Sequence, residues 1–429
     1  MQDGVPSKKL FRWIFLWVTA LSIAVYVIYA HFQPTYTYSL LDSRYDAHKY
    51  ALLYHFFKGN AADFQVSFPF NSRILMPWLA AQLPFQDIKT AFIWLNGLFI
   101  VPTIGLLAFS WQKLHIRPLV IFVGIFWVLF HWKGIVRMYL PDPVTADVGS
   151  YFFQTIWLGL IGVFIKQSND LNHKNDLRWI LSRFNYPTIS LVVILGTLQK
   201  ESFIAVVIAS FIYVLFLPNR RFPFFFILLF SVSPITYLSA NYYFPAVSDD
   251  WRNNPFVSIL RGIKRYAFEP TLFLKLPISW FLAYGTFWIV IIEKWNKDGW
   301  KKENTSHFSL LASLLWLFLS IFGGGDTTRI LFNGMPFILT FLLLKLNQKP
   351  AWLSWYVFIT SLPLMRLFSL EPDLGLYPQS THHWCVECWQ FSESWGYWMY
   401  AVVVLMGYYY LARRLGIGSG EPNEVETSR

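Results

Sequence analysis

The sequence predicts an all-α polytopic membrane protein, and three observations support this fold class. Of the 429 residues, 55% are hydrophobic and only 14% are charged, whereas soluble domains carry about 25% charged residues. Apolar runs of about 17–25 residues, enough to cross a hydrocarbon core of about 30 Å, recur along the chain. The 21 Trp and 23 Tyr suit the two interfaces of a bilayer, where an apolar ring with a polar tip is stable.

Hydropathy predicts about twelve transmembrane helices. The first apolar run, residues 11–30, is long for a signal peptide and is followed by no small-residue cleavage site, which favours a retained helix. The fifth and sixth runs are short and predict either a tight hairpin or two helices that stop before the far interface. The predicted spans are 11–31, 89–112, 118–132, 148–165, 187–199, 202–217, 222–243, 278–293, 307–322, 330–345, 351–368 and 396–412.

The distribution of Lys and Arg predicts the orientation. Basic residues are about twice as dense in the loops on one side, which the positive-inside rule makes cytoplasmic. We therefore expect a multi-pass protein of the plasma (inner) membrane with both termini in the cytoplasm. Residues 1–414 form a single integral membrane domain in this prediction, and the polar segment 415–429 a disordered tail. The short inside loops contain Lys113, Arg117, Arg220, Arg221, Lys345, Lys349, Arg413 and Arg414.

The first extracytoplasmic loop, residues 32–88, is long and contains two apolar stretches, 50–57 and 74–83. Their length and spacing predict helices that lie in the outer interface without crossing it. The net charge of +11 favours a bilayer partner over nucleic acid, because basic residues flank membrane helices and face anionic headgroups.

Two carboxylates open the first loop. Asp42 and Asp46 are four residues apart, so on one helix they would share a face. Either could act as a general base if a substrate hydroxyl came within hydrogen-bond reach. The alternative for Asp42 is a helix N-cap; this alternative is weaker for Asp46, which is expected inside the helix.

Three further charged residues are expected near the outer interface. Arg73 stands between apolar residues, and its planar fork suits phosphate, although its side chain could equally extend to lipid headgroups. Lys200 lies between the two short helices, where ionised groups are costly and tend to be paired or functional. Lys200 either reaches a lipid phosphate or is neutralised by Glu201.

Two other loops on this side carry acids. Asp142 lies between two prolines, which stiffen its backbone, and Asp147 opens the next helix, where an acid is often only a cap or dipole partner. Three glycines, 323–325, precede Asp326 and Arg329. Glycine permits close approach of a backbone to a ligand, and successive N–H groups can cradle an anion.

The last outer loop contains the only two cysteines, Cys385 and Cys388, next to His382 and His383. Zinc binding, a disulfide and free thiols all stay open for this cluster. A divalent metal at Asp46, Asp142 or Asp147 also stays open, since no spacing in the sequence requires one.

Short motifs in the first loop resemble the C-type (GT-C) glycosyltransferase superfamily. Residues 44–48, Arg-Tyr-Asp-Ala-His, are similar to the Arg-Trp-Asp-Ala/Gly-x-His pattern of the GPI mannosyltransferase group, with Tyr45 in place of the Trp. Residues 68–70, Phe-Pro-Phe, loosely resemble that group's Phe-Phe-Pro-Leu-Tyr-Pro stretch. The resemblance covers about 35 residues.

This resemblance implies an inverting membrane glycosyltransferase. A sugar would move from a polyprenyl-phosphate-linked donor to an extracytoplasmic glycan, lipid or protein acceptor, with Asp46 as general base and Asp42 beside it. The leaving phosphate needs charge stabilisation, for which Arg329, Lys200 and Arg73 are the candidates in that order. The supporting residues would be His48, Asp142, Asp147, Glu201 and Asp326.

Three other functions are compatible with parts of the sequence. A transporter or flippase of lipid-linked sugars would show inverted repeats and helices broken near mid-membrane, and the sequence contains no evident repeat. A polysaccharide polymerase or ligase shares long outer loops and arginines. A membrane scaffold without catalysis leaves the outer acids unexplained unless they are caps.

Overall fold

The computed structural model describes residues 8–170, 186–215, 223–247, 255–269, 271–292, 304–322, 327–370 and 394–415. Within these ranges the chain is helical and contains no strand; extended pairing is limited to one isolated bridge between His131 and Met365. The predicted all-α class therefore agrees with the described part of the chain. The predicted tail, 415–429, lies outside it apart from residue 415.

The helices follow one another with short connections. Those in the first half are α1 (Lys8–Phe32), α2 (Tyr38–Leu41), α3 (Asp46–Phe57), α4 (Leu75–Gln82), α5 (Ile88–Lys113), α6 (Pro118–Phe130), α7 (Asp147–Asp170), α8 (Tyr186–Gln199) and α9 (Ser202–Leu215). Those in the second half are α10 (Pro223–Tyr243), α11 (Pro255–Phe268), α12 (Thr271–Tyr284), α13 (Ile289–Ile292), α14 (Asn304–Phe322), α15 (Thr327–Asn333), α16 (Met335–Asn347), α17 (Ala351–Ser361) and α18 (Trp395–Arg414).

Helix length limits how many of these elements can cross a bilayer singly. In the described residues three helices are long and apolar enough, and α15 with α16 makes a fourth span if the bent pair is counted as one. Five other apolar helices are shorter, with 10–17 residues each. All twelve predicted segments overlap a helix, but this length criterion supports three or four spans and not twelve. The three long spans are Arg12–Phe32, Ile88–Lys113 and Leu272–Ile291.

The predicted tenth segment, 330–345, is not one straight helix. It breaks between α15 and α16 with a bend of 74°. Gly334 occupies the corner, where an added Cβ would lie only 2.4 Å from the Trp316 side chain. Pro336 follows and supplies no N–H for a continuing helix. The bend lets the start of α15 point away from the direction of α16.

Helices α1 and α5 pack closely through small residues. An added Cβ on Gly97 would meet the Tyr26 ring at 2.7 Å, and Gly105 lies against Phe15. Small residues let helix backbones approach, which is the usual source of stability between helices in lipid. Because α5 also packs on α7, it positions the loops that precede and follow these helices.

The interior contains many buried aromatic residues among a larger number of aliphatic ones, and two buried Trp side chains donate hydrogen bonds to hydroxyl groups. The Trp111 indole donates to Thr340 Oγ1 at 2.8 Å, and the Trp157 indole donates to Ser210 Oγ at 2.7 Å. Buried Trp needs such partners. Large apolar side chains are exposed along α1 and α18, which favours a lipid environment for these faces. On α18 they include Met399, Val403, Met406 and Tyr410.

Candidate functional site

Four connecting segments bring their polar residues together at one end of the helices. They are the loop from α1 to α5, the segment between α6 and α7, the two-residue break between α8 and α9, and the start of α15. The sequence places all four on the predicted outer side. Their charged side chains contact one another over separations of 53 to 283 residues.

The two acids of the first loop do not share a helix, contrary to the expectation from their spacing. The chain turns between α2 and α3, and Asp42 accepts from the backbone N–H of Arg44 at 2.9 Å and from its guanidinium at 2.7 Å. Asp42 is therefore no N-cap, because Tyr45 holds that position before α3. Its carboxylate is held by Arg44, whose side chain is 66% exposed.

Asp46 is the first residue of α3, and its carboxylate does not cap the helix. Instead its Oδ2 accepts from Arg329 Nη2 at 3.2 Å. Both side chains are partly exposed, Asp46 to 38% and Arg329 to 31%. The ion pair joins the start of α3 to α15, and its exposure leaves room for a ligand beside it.

Asp147, at the start of α7, is buried and is also not a simple cap. The hydroxyl of Thr145 accepts from its backbone N–H at 3.1 Å. Its carboxylate pairs with Lys200 and accepts from the Tyr139 hydroxyl at 3.1 Å. Arg329 Nε lies 3.9 Å from the same carboxylate, so Asp147 also steadies the arginine that meets Asp46.

Arg73 and Glu201 form a second buried ion pair. The guanidinium donates to Glu201 through two nitrogens, one of them at 2.8 Å, and its Nη1 donates to the Tyr50 hydroxyl at 3.1 Å. Burial alone would raise the pKa of Glu201, but Arg73 holds the pKa of this carboxyl below its ordinary value. Neither Arg73 nor Lys200 lines the cavity described next, and both already have carboxylate partners.

An open cavity lies beside the Asp46–Arg329 pair. Asp142 lines it as a second acid and accepts from Ser39 Oγ of α2 at 3.0 Å. Burial, with a smaller effect from Asp46, raises the pKa of Asp142 to about 6. The remaining lining residues are Tyr36, Ala47, Trp132, Lys133, Arg137, Met138, Tyr139, Pro141, Val144 and Thr145.

The segment after α6 contributes two cations that the sequence analysis missed, Lys133 and Arg137. His131 holds the start of this segment: one ring nitrogen contacts the Leu282 carbonyl at 2.9 Å, and the other accepts from the Lys133 backbone N–H at 3.2 Å. A Cβ on Gly134 would lie 2.6 Å from the Val128 carbonyl, so only glycine fits here. In the sequence they are two cations four residues apart directly after an apolar run, a pattern that is also typical of ordinary membrane flanks.

The other predicted site residues lie away from the cavity or outside the described ranges. His48 contacts the Leu40 carbonyl through Nδ1 at 2.7 Å and does not line the cavity. Asp326, glycines 323–325, and the segment with His382, His383, Cys385 and Cys388 lie outside the described residues. Within the described part of the chain, no three His, Cys, Asp or Glu side chains come close enough to hold a metal ion.

Comparison with known proteins gives no relative: no protein-family model, no curated protein and no solved structure matches this chain.

Proposed function

We propose that this protein is a membrane glycosyltransferase that moves a sugar from a polyprenyl-phosphate-linked donor to an extracytoplasmic acceptor with inversion. The observation that carries the proposal is the meeting of Asp46 with Arg329 beside an open cavity. The local resemblance of residues 44–48 to GT-C enzymes supports the same function. The sugar and the choice of glycan, lipid or protein acceptor are left open by this proposal.

Asp46 is the general base in this reaction. One carboxylate oxygen accepts from Arg329, and no described residue donates to the other. That oxygen would take the proton of the acceptor hydroxyl while the hydroxyl oxygen bonds to the anomeric carbon. The bond from that carbon to the phosphate oxygen breaks, and the electron pair leaves with the lipid phosphate. The phosphate is already a good leaving group and needs no proton.

The buried pairs around the cavity position this base. Lys200 with Asp147, and Arg73 with Glu201, tie the break between α8 and α9 to the start of α7 and to the first loop. Asp147 in turn lies 3.9 Å from Arg329. Rigid support of this kind keeps a catalytic carboxylate in a productive orientation.

The proposed topology places this end of the helices outside the cytoplasm. The basic short loops lie on the opposite side in the sequence prediction, and the positive-inside rule makes that side cytoplasmic. We propose the twelve-span arrangement in the plasma (inner) membrane with both termini inside. Shorter helices such as α6 and α17 would then cross a locally thinned bilayer or tilt little, as short apolar helices do.

The decisive experiment is sugar transfer by the purified full-length protein in lipid vesicles. Radiolabelled polyprenyl-phosphate sugars are supplied with glycan, lipid and peptide acceptors, and both transferred label and released lipid phosphate are counted. Asp46→Asn should lower the rate about 10²–10⁴-fold, because the general base is lost. Asp87→Asn is the matched control: Asp87 caps α5 in the same loop, Asn caps equally well, and activity should persist.

Two results would contradict the proposal. Full transfer by Asp46→Asn would remove Asp46 as the base. Movement of intact labelled donor across the vesicle membrane, without release of lipid phosphate, would replace the transferase with a flippase.

A further inference from the structure

Arg137 is a buried cation at the cavity with unused hydrogen-bonding capacity. The residue is only 2% exposed, and it lines the cavity. One guanidinium nitrogen donates to the Ser369 carbonyl, and the guanidinium lies over the Tyr29 ring at 4.0 Å. Its Nε and Nη1 are buried and have no hydrogen-bond partner among the described residues. Leaving such groups unsatisfied is costly, so native proteins rarely do so without a reason.

The charge of Arg137 is likewise not balanced by an acid in the described residues. Burial and the nearby Arg366 lower the pKa of this guanidinium, and the Tyr29 phenol only partly opposes them. Three other cations of the site differ, because Arg73, Lys200 and Arg329 each contact a carboxylate. An anion is therefore the partner that the surroundings of Arg137 favour.

A second buried cation lies four residues earlier in the chain. Lys133 is 2% exposed and lines the same cavity. The segment that carries both residues is held by His131, by the Gly134 turn, and by the hydrogen bond from the Arg366 backbone N–H to the Phe130 carbonyl at 2.8 Å. The positions of the two cations are thus fixed before a ligand arrives, which reduces the ordering cost of binding.

We propose that Arg137, with Lys133 beside it, binds the phosphate group of the substrate in this cavity. Nε and Nη1 each keep an N–H that can donate a charge-assisted hydrogen bond to a phosphate oxygen. This assignment moves the phosphate from Arg329, whose charge Asp46 already opposes, to the segment between α6 and α7. The identification of the ligand as a lipid phosphate rests on the proposed function; the anion site itself does not.

Ligand-dependent stabilisation of the full-length protein in detergent tests the proposal. Thermal unfolding is followed with inorganic phosphate, inorganic diphosphate and farnesyl phosphate, each against sodium chloride at equal ionic strength. The variants are Arg137→Met, Arg137→Lys and the control Lys113→Met, which removes an exposed cation at the end of α5. Comparison of the probes separates a free anion from a lipid phosphate.

We expect phosphate-containing probes to stabilise the wild type and Lys113→Met equally. Apparent affinity should fall about tenfold or more in Arg137→Met, and less in Arg137→Lys, because the first variant loses the charge-assisted hydrogen bonds and the second keeps the positive charge. Farnesyl phosphate should bind more tightly than inorganic phosphate if the ligand is lipid-linked. Without ligand, Arg137→Met should unfold at the same or a higher temperature, since a buried unpaired charge is removed.

Two outcomes would contradict the anion site. The first is equal phosphate affinity in Arg137→Met and the wild type. The second is a lower unfolding temperature of Arg137→Met with undiminished stabilisation by phosphate, which would show that Arg137 has a purely structural role. Because binding is measured without sugar transfer, this result is independent of the test of Asp46. If Arg137→Met loses phosphate binding but the wild type transfers no sugar, the anion site is kept and the transferase is rejected. If the wild type transfers sugar but Arg137→Met binds phosphate normally, the transferase is kept and the anion site is rejected.

Discussion

The ion pair at the cavity and the two buried ion pairs behind it use the same residue types in different surroundings. Asp46 and Arg329 are each about one-third exposed and share one hydrogen bond of 3.2 Å. Asp147, which pairs with Lys200, has a side chain only 5% exposed. Arg73 makes a two-pronged contact with Glu201 and also reaches the Tyr50 hydroxyl.

In the proposed function, this difference in exposure separates the structural ion pairs from the catalytic one. A buried charge loses its hydration, so it is stable only with close partners, and removal of one partner leaves the other uncompensated. A partly exposed pair is screened by water and holds its members weakly. The exposed pair can therefore open for a substrate without loss of the fold, whereas the buried pairs hold the loops together.

The largest expected effect is on stability, at a buried pair. Lys200→Met leaves the buried Asp147 carboxylate without its cation and should lower the free energy of unfolding by about 3–5 kcal/mol. Thermal and denaturant unfolding of the purified protein measure this loss. Lys113→Met, at an exposed lysine, is the control. An unchanged unfolding midpoint in Lys200→Met would contradict this distinction, because the buried pair would then contribute nothing to stability.

The next effect is a pH dependence at the cavity wall. The pKa of Asp142 is raised from 3.8 to about 6, so the folded state binds this proton more tightly than the unfolded state does. The resulting stability is present below pH about 4 and is lost as the pH rises through about 6, with a total of up to about 3 kcal/mol.

Asp142→Asn should abolish this part of the pH dependence. The difference in unfolding free energy between the variant and the wild type should therefore rise in favour of Asn from pH 4 to pH 7. Parallel curves for the two proteins across this range would show that Asp142 is not an unpaired acid of the cavity.

The smallest expected effect on stability is at the exposed pair. Asp46→Asn should change the free energy of unfolding by no more than about 1 kcal/mol, since exposed ion pairs contribute little, even though sugar transfer is largely lost. The same unfolding measurement used for Lys200→Met provides the comparison. A loss as large as that of Lys200→Met would make Asp46 a structural residue and remove the distinction between the two kinds of pair.

Local sequence patterns pointed to several residues that line the cavity, but not to all of their contacts. Asp46, Asp142 and Arg329 all line the cavity, and each was selected from its local pattern. Neutralisation of Lys200 by its neighbour Glu201 was one of two alternatives, but Glu201 pairs with Arg73 instead. Adjacent residues at a helix start point in different directions, so neighbours in sequence need not be partners in space.

Lys133 and Arg137 show the opposite error. In the sequence they belong to a basic segment after an apolar run, which is typical of ordinary membrane flanks. Only the packing of this segment against residues 282 and 364–369 buries them at the cavity. No local pattern distinguishes a flanking cation from one that packing encloses.

The sequence by itself determined the helical, apolar class of this chain. Composition and the length of apolar runs are local properties, and they do not depend on which helices pack together. The sequence also predicted that basic residues are denser in the loops of one side. The tertiary structure decided which charges meet. Asp46 and Arg329 are 283 residues apart. Their contact depends on the tertiary structure, which brings the starts of α3 and α15 together. The bend between α15 and α16 sets the direction of α15. Burial, which divides the supporting pairs from the exposed pair, arises only from that packing.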